Sequence, residues 1–597
     1  MSKTHFTVTQ QQAIDDQGQN ILVSASAGSG KTSVLVERVI QKILGGESID
    51  RLLVVTFTEA AAKGMRDRIG QALKEAIAQT NTTDVKQHLK NQLNRLAVAD
   101  ISTLHAFCLH LIKQYYYLIN LDPQFRLLTD ETEGILLREN VWNDVRETLY
   151  ASGDPAFEQL TRNFSSDRSD DGLTTVVNQL DSYATATPRP HEWLAQLPTT
   201  YAVGEGPLIE TAMYQQQVLP ALVDALQQIE ADLADALHQA GGDGFEKVQA
   251  VLEAELEQAK TAEKLVGSAS WDDCRQFLQS LKFSTLRGPK GDEAKATFES
   301  IKELRNNAKK AINALAPHYF ALDEATTKQI SSQAEQLVTT LVDVVDRYRA
   351  AYQAEKQRRH VLDFSDLEHY ALQILTTATP DGQAVVAQLR DHYHEIMVDE
   401  YQDTNQLQES ILQTLVNDDP GNMFMVGDVK QSIYQFRQAD PSLFLRKYTT
   451  YRQPGSTDGE TIVLAENFRS VNNVTDFTNL IFQQLMDTQV GEMDYDEDAH
   501  LKYGATDYPD RGVPTEIMLY DSTTEPTALD QKLPLLEAGD KLTGEIQMVG
   551  LRIQRMIEQH ELVYDRTAQQ MRPISYGDIT LLSATKNNNN MIVEQFS

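Results

Sequence analysis

Cysteine is almost absent from this chain of 597 residues, which contains only Cys108 and Cys274. Two cysteines so far apart in sequence do not make a disulfide framework, a cysteine-type zinc site or an iron–sulfur cluster. We therefore expect no cysteine chemistry.

Long apolar runs are also lacking. No run approaches the roughly 20 residues needed to cross a bilayer, and the opening MSKTHFTVTQQQAI lacks the basic-then-apolar layout of a signal peptide. We therefore expect no membrane contact and a cytoplasmic location.

Positive charge is scarce as well, and the formal net charge is −33. This argues against a nucleic-acid binder coated in basic residues. It does not exclude a narrow basic or stacking channel in an acidic protein, because phosphate attraction is screened beyond roughly 8 Å at physiological salt. Local motifs must therefore decide the function.

The length predicts roughly four domain-sized units, and the hydrophobic content of 41% is enough to give each a core. Apolar runs that read as strands alternate with helix-like segments, which predicts an α/β fold with a parallel sheet. The predicted strands are 21–24, Leu52–Thr56, Glu395–Val398, 423–426, 461–464, 514–520 and 578–582. The predicted helices around them are 32–44, 59–78, 472–486 and 545–558.

A long segment rich in Gln, Ala, Leu and Glu separates the second and third predicted strands. It covers 130–359 and has breaks at TATPRP, AGGDG and LRGPKGDE. We predict one large helical insertion in the α/β domain.

The stretch ASAGSGKT, 25–32, fits a phosphate-binding loop between a strand and a helix, with an alanine at the first position where glycine is usual. Its residues are Ala25, Ser26, Ala27, Gly28, Ser29, Gly30, Lys31 and Thr32. Small residues let backbone N–H groups approach phosphate oxygens, while Lys31 would reach the β- and γ-phosphates of ATP and Thr32 would hold Mg²⁺. The alternative is a glycine-rich turn before a helix.

The stretch VDEYQDT, 398–404, places two acids at the end of a predicted strand. Asp399 would hold Mg²⁺, and Glu400 would orient and deprotonate the attacking water. An acidic loop is by itself usually a solvated turn, but beside a phosphate-binding loop in the same sheet it becomes a candidate Walker B motif.

Two further stretches carry candidate groups. GDVKQSIYQFR, 427–437, combines Gln431 with Tyr434 and Phe436, and TFTEAAA supplies Phe57. Aromatic rings near a nucleotide site can stack on bases, although each ring alone is more often part of a core. In LAENFRS, the guanidinium of Arg469 could stabilise charge on the γ-phosphate.

Seven stretches stand in the order of the motifs of UvrD/Rep-type superfamily 1 helicases. They are FTVTQ, ASAGSGKT, VVTFTEAAAKGM, STLHAFC, VDEYQDTNQLQ, FMVGDVKQSIYQFRQADPSLF and LAENFRS. The long insertion, the lysine in GDVKQS and the phrase LDFSDL resemble most the AddA group of bacterial helicase–nuclease subunits.

The resemblance implies roles for individual residues. Gln10 would read adenine and Phe468 would stack on it, while Gln431 and Arg469 would sense the γ-phosphate. The residues placed along the single-stranded DNA path are Thr56, Phe57, Thr58, Thr103, His105, Tyr434 and Phe436. For His105, a structural role is about as well supported as a DNA contact, and Arg437 stays unassigned.

The resemblance also implies a domain plan and an activity. The plan is a RecA-like ATP-binding domain from 1–129 and 360–475, the helical insertion 130–359, and the start of a second RecA-like domain at 476–597. The implied activity is ATP-driven 3′-to-5′ movement on single-stranded DNA with duplex unwinding, in double-strand-break repair beside an AddB-like partner subunit.

Departures from the family pattern leave an alternative open. Glu59 stands where Asn is usual, Gly64 where Glu is frequent, and Ser583 where an arginine is common. No later helicase motif or nuclease motif follows in the sequence, so a chain that only binds nucleotide and DNA is the competing expectation. The segment 282–310, with eight basic residues against four acidic ones, is either a duplex-contacting patch or a solvated helix face.

Overall fold

The structure is a computed structural model that describes residues 6–166, 169–242, 244–288, 293–417, 419–488, 491–509, 512–521, 541–583, 585 and 588–596. The chain divides into two compact units. Unit 1 comprises Met1–Ile119 and Gln373–Ser597, and unit 2 comprises Asn120–Leu372.

The strands, in chain order, are β1 (Ile21–Ala25), β2 (Leu52–Thr56), β3 (Ile101–Thr103), β4 (Arg126–Leu127), β5 (Val361–Leu362), β6 (Glu395–Val398), β7 (Met423–Gly427), β8 (Glu460–Leu464), β9 (Glu466–Asn467), β10 (Lys502–Tyr503), β11 (Leu562–Asp565) and β12 (Gln570–Pro573).

The helices, in chain order, are α1 (Val8–Asp15), α2 (Lys31–Leu44), α3 (Glu59–Gln79), α4 (Thr83–Arg95), α5 (Leu104–Tyr115), α6 (Glu131–Ser152), α7 (Pro155–Phe164), α8 (Asp171–Thr185), α9 (Pro190–Gln196), α10 (Leu219–Gln239), α11 (Glu246–Val266), α12 (Trp271–Ser280), α13 (Glu293–Tyr319), α14 (Glu324–Arg358), α15 (Phe364–Leu375), α16 (Pro380–His392), α17 (Gln406–Leu415), α18 (Pro441–Tyr451), α19 (Asn472–Leu485), α20 (Lys541–Glu558) and α21 (Asn589–Phe596).

Unit 1 is built on a six-stranded sheet in the order β3-β2-β6-β7-β1-β8, and every pairing in it is parallel. All residues of β2, β6 and β7 are buried, as expected of parallel strands covered by helices on both faces. The predicted α/β fold with a parallel sheet is therefore confirmed. The sequence did not predict β3, whose three residues are too few to show a pattern.

The predictions for the last part of the chain are only partly right. The helices predicted at 472–486 and 545–558 correspond to α19 and α20. The strands predicted at 514–520 and 578–582 are wrong, because these residues are irregular apart from a 3₁₀ turn at Tyr576–Asp578. A strand needs a hydrogen-bonding neighbour, and within the described residues neither segment has one; the antiparallel pair β11–β12 forms instead.

Unit 2 is helical from α6 to α14, and the three predicted breaks separate α8 from α9, α10 from α11 and α12 from α13. The short parallel pair β4–β5 joins its first and last segments. Arg305 of the basic segment 282–310 is buried and bound to Glu255, with the Nε–Oε2 pair at 2.7 Å. Arg305 is therefore removed from any DNA-contacting patch, and Lys290 of that segment lies outside the described residues.

Among the described residues, no helix has both the length and the apolar character needed to cross a membrane.

Candidate active site at the carboxyl edge of the sheet

The predicted motifs converge because they follow parallel strands of one sheet. The phosphate-binding loop follows β1, Asp399 follows β6, Asp428 follows β7 and the segment LAENFRS contains the end of β8. Carboxyl ends of parallel strands meet at one edge, which is where α/β sheets bind ligands. Residues far apart in the sequence therefore share one site.

The phosphate-binding loop has the backbone that its glycines allow. Gly28 has φ +72° and Gly30 has φ +84°, and Gly30 caps the start of α2. Positive φ values of this kind favour glycine. Ala25, by contrast, is the last residue of β1 and pairs in register with Leu464, so an alanine fits the first position of the pattern.

The segment after β8 supports the loop directly. Asn467 donates from Nδ2 to the carbonyl oxygen of Ala27 at 2.8 Å, and the N–H of Phe468 donates to the carbonyl of Gly28 at 2.9 Å. A Cβ on Gly28 would lie 2.8 Å from Oδ1 of Asn467. The loop and LAENFRS are thus joined by one side-chain and one backbone hydrogen bond.

Gln10 also contacts the loop. It is buried, and its Nε2 donates to the carbonyl oxygen of Ser29 at 2.8 Å. Its Oε1 accepts the N–H of Thr7, which completes a capping box at the start of α1. The structure therefore shows Gln10 holding the loop, and its predicted contact with adenine stays a prediction.

Two of the predicted catalytic groups, Lys31 and Glu400, form an ion pair. Lys31 Nζ lies 3.2 Å from Oε2 of Glu400, with side-chain exposures of 12% and 36%. Glu400 has φ +53°, a left-handed conformation that a non-glycine residue rarely adopts. Its N–H donates to Oδ1 of Asp399 at 3.1 Å. Such strain is often found at functional sites.

Glu400 and Asp399 line a cleft of about 460 Å³. Its walls include Thr32, Asp399, Glu400 and Asp403 together with Phe57 and Tyr434. Burial, followed by the neighbouring charge of Glu400, raises the pKa of Asp399 to about 6 and has the same effect on Asp403. The cleft therefore concentrates negative charge that a bound cation would neutralise.

Gln431 lines the same cleft through the turn after β7. Its Nε2 donates to Oδ2 of Asp428 at 2.7 Å, and Lys430 Nζ lies 2.9 Å from Oδ1 of the same carboxylate. Asp428 is buried and holds both side chains.

Arg469 and Phe468 lie beside the loop rather than in the cleft. Arg469 is exposed, and its N–H donates to Oδ1 of Asn467 at 2.9 Å. The Phe468 ring packs against Gly504, where a Cβ would come within 2.8 Å of the ring. The cleft and the predicted adenine and arginine positions are therefore neighbouring but separate features.

The aromatic side chains predicted to contact DNA form a cluster. The ring centroids of Phe57 and Tyr434 are 4.5 Å apart, and those of Tyr434 and Phe436 are 5.8 Å apart. Phe436 is 72% exposed, so its ring can receive a base. Arg437 lies over both Tyr434 and Phe436, with its Cζ at 5.8 and 5.7 Å from their centroids.

The three threonines predicted on the DNA path have structural contacts. Thr58 and Thr103 cap α3 and α5 by accepting the N–H of Ala61 and of Ala106, and Thr56 donates to the carbonyl of Thr58 at 3.1 Å. Since β2 and β3 are neighbours, the amino ends of both helices lie at the same edge, where backbone N–H groups favour phosphate. His105 is half-buried in the first turn of α5.

Comparison with known proteins matches residues 6–452 to the family described as UvrD/REP helicase N-terminal domain. The chain belongs to this family.

Three relatives of this family member are named as subunits of an ATP-dependent helicase/nuclease. The protein of Ligilactobacillus salivarius is 50% identical over 99% of this chain and 48% of its own length. The protein of Lactiplantibacillus plantarum is 48% identical over 99% of this chain and 48% of its own length. The protein of Latilactobacillus sakei is 46% identical over 100% of this chain and 67% of its own length. The chain thus spans about half the length of the first two relatives and two thirds of the third.

Sequence reasoning missed several residues in or near the quoted motifs. Gln402, Asp403 and Arg68 line the cleft, while Asp428 holds Gln431 and Asn467 holds the phosphate-binding loop. Arg68 lies three residues after a quoted motif and the others lie within one, so the motifs were a signal, but the roles depend on contacts that only the fold creates.

Proposed function

We propose that this chain is the ATP-hydrolysing motor region of a 3′-to-5′ DNA helicase/translocase that acts in double-strand-break repair beside an AddB-like subunit. One observation carries the proposal: a single cleft is lined both by Thr32, Asp399 and Glu400 and by Phe57 and Tyr434. Nucleotide chemistry and DNA contact would therefore share one cleft. The relatives' name, which includes both helicase and nuclease, supports the class.

The phosphate-binding loop fits ATP on its own geometry. The buried hydroxyl of Ser29 has no hydrogen-bond partner in the described structure, although buried polar atoms are normally paired. Gly28 and Gly30 turn the backbone at the start of α2, where N–H groups and the helix dipole favour phosphate. Lys31 would bind the β- and γ-phosphates, and to do so it would leave Glu400.

Thr32 and Asp399 are the residues that would hold Mg²⁺. No group of three or more His, Cys, Asp or Glu side chains that could hold a metal is found among the described residues. This suits Mg²⁺, which binds one or two carboxylates together with substrate phosphates and water. The ion would neutralise charge on the phosphates.

Hydrolysis itself would fall to Glu400. Released from Lys31, its carboxylate would accept a proton from the attacking water, and Gln431 and Arg469 would contact the γ-phosphate. We propose further that 1–129 with 360–475 and 130–359 act as the first motor domain and its insertion, and that 476–597 begin the second. No residue of the chain is assigned to nuclease action.

ATP turnover with and without single-stranded DNA tests the function. The parent chain should hydrolyse ATP faster with DNA, and the Glu400→Gln variant should bind ATP but lose roughly 10²-fold or more in kcat, the range for a lost general base. Glu139→Gln, an exposed change on α6, is the matched control and should behave as the parent. No DNA-stimulated turnover in the parent would favour a chain that only binds.

A further inference from the structure

The side chain of Gln402 is a buried polar group next to the predicted catalytic base. It is 2% exposed and lies in the 3₁₀ turn Tyr401–Asp403 after the Walker B acids. Its Nε2 donates to Oε2 of Glu400 at 2.8 Å, and its Oε1 accepts the N–H of Asp428 at 2.9 Å. A weaker contact runs from Nε2 to Oδ2 of Asp403 at 3.4 Å.

The orientation of this amide is fixed by chemistry. The N–H of Asp428 can only donate, so the atom of Gln402 that meets it must be the oxygen. The nitrogen then has to point toward Glu400, whose ionised carboxylate can only accept. Both ends of the amide are satisfied in one orientation and unsatisfied in the other.

Gly427 supplies the space that this arrangement needs. A Cβ on Gly427 would lie 2.5 Å from Oε1 of Gln402 and 3.2 Å from its backbone nitrogen. Contacts this short are not tolerated, so any other residue at position 427 would displace the amide. The last residue of β7 and the turn after β6 are therefore fitted to each other.

We propose that Gln402 is a positioning residue that holds the Glu400 carboxylate and couples it to the segment after β7. Gln402 accepts the N–H of Asp428, and the carboxylate of Asp428 accepts a hydrogen bond from Gln431 Nε2 at 2.7 Å. Tyr434 of the aromatic cluster lies three residues after Gln431. A displacement of this segment by bound DNA would reach Glu400 through one side chain. The inference rests on the function proposed above.

The test substitution, Gln402→Glu, replaces the amide nitrogen of the side chain with an oxygen. Gln402→Glu keeps the size of the side chain and an oxygen that accepts the Asp428 N–H, but at an alkaline pH where both carboxylates are ionised it replaces the donor facing Glu400 with a second acceptor. We expect DNA-stimulated kcat to fall at least tenfold while the KM for ATP changes less than about twofold, since only the orientation of Glu400 is lost. Gln402→Met, an apolar side chain of similar size, should show the same split and covers the case in which the glutamate variant does not fold.

Gln406→Glu is the matched control. Gln406 is exposed on α17 and donates to Oδ2 of Asp440 at 3.0 Å, so the same exchange puts a carboxylate beside a carboxylate away from the cleft. Its kcat should equal that of the parent. Equal kcat in Gln402→Glu and the control would overturn the inference. So would a fall in kcat accompanied by a comparable loss of ATP affinity and of thermal stability, because that pattern indicates a structural role only.

A second measurement separates this inference from the proposed function. A parent chain without turnover would contradict the proposed function, and binding would then decide the role of Gln402. A nonhydrolysable ATP analogue should change the affinity of the parent for an oligo-dT probe at least threefold, and Gln402→Glu should abolish this change. The same response in both proteins, including no response in either, would overturn the coupling.

Discussion

The replacement of Glu395 by glutamine tests the architecture around the site most severely. Glu395 opens β6, is buried, and receives two bonds from Arg38 of α2, at 3.1 Å to Nε and 2.5 Å to Nη2. Lys42 Nζ lies 3.4 Å from the same carboxylate. One buried anion therefore connects the helix of the phosphate-binding loop to the strand that ends at Val398, next to Asp399.

The destabilisation expected for Glu395→Gln follows from the cations that it leaves without a carboxylate partner. Removing one partner of a buried ion pair typically destabilises by about 3–5 kcal/mol, because the other charge stays buried. Lys42 can lose its proton, since burial lowers its pKa, but an arginine cannot. Arg38 keeps its bonds to the carbonyls of Ala13 and Ile14 and lies over Phe424. We therefore expect the lower end of that range, about 3 kcal/mol.

The chain carries a convenient probe for this measurement. Its three tryptophans, Trp142, Trp193 and Trp271, all lie in unit 2, so urea unfolding followed by tryptophan fluorescence reports on unit 2 and far-UV circular dichroism reports on both units. Glu395→Gln should lower the free energy of unfolding that circular dichroism detects and affect the fluorescence transition less. Glu255→Gln, which breaks the buried pair with Arg305 in unit 2, should show the larger effect in fluorescence.

Adding Arg38→Met to Glu395→Gln should restore part of the lost stability, because it removes the buried unpaired cation. The reasoning fails if Glu395→Gln changes the free energy of unfolding by less than about 0.5 kcal/mol, the range of ordinary surface substitutions. It fails equally if the double variant is less stable than Glu395→Gln alone.

Three further outcomes follow from the site. Without nucleotide and Mg²⁺, Asp399→Asn should stabilise the chain above pH 6. The pKa of Asp399 in the folded chain is about 6 and its ordinary value is 3.8, so the ionised carboxylate lowers stability at high pH. In urea titrations the added stability of the variant should vanish below about pH 4, where the carboxyl is protonated in both states. Gly28→Ala should abolish binding of a fluorescent ATP analogue, whereas Gly18→Ala, with φ +82° and no atom within 4 Å of a Cβ, should keep it; equal binding would contradict the crowding. Phe436→Ala should weaken oligo-dT binding by about 1–3 kcal/mol in fluorescence anisotropy, and an unchanged affinity would remove this ring from the DNA path.

The sheet was predictable where its strands are fully buried and mainly apolar. Leu52–Thr56 and Glu395–Val398 coincide with the predicted strands, because buried parallel strands read as nearly unbroken apolar runs. The segment 514–520 was predicted on the same kind of signal, yet Ile517 and Leu519 are 71% and 86% exposed and form no strand. A local apolar run shows that a segment is able to form a strand, but it forms one only where a neighbouring strand can pair with it.

The site residues were predictable as a set, but not their contacts. Motif order brought Gln10, Lys31 and Glu400 to attention without showing that Gln10 binds the loop backbone or that Lys31 pairs with Glu400. These contacts join residues 19 and 369 positions apart. Only the crossovers of the parallel sheet create them, so no local pattern carries their signal.

The phosphate-binding loop therefore depends on segments far from it. Gln10 binds the carbonyl of Ser29, while Asn467 and the N–H of Phe468 bind those of Ala27 and Gly28. With three consecutive carbonyls occupied by protein donors, the loop backbone is held in place, and little conformational entropy remains to be lost when phosphate binds. Changes at Gln10 or Asn467 should weaken nucleotide binding even if neither side chain touches the nucleotide. A loss of affinity at these positions is then no proof of direct contact with adenine, which requires a comparison of ATP with GTP on the same variants.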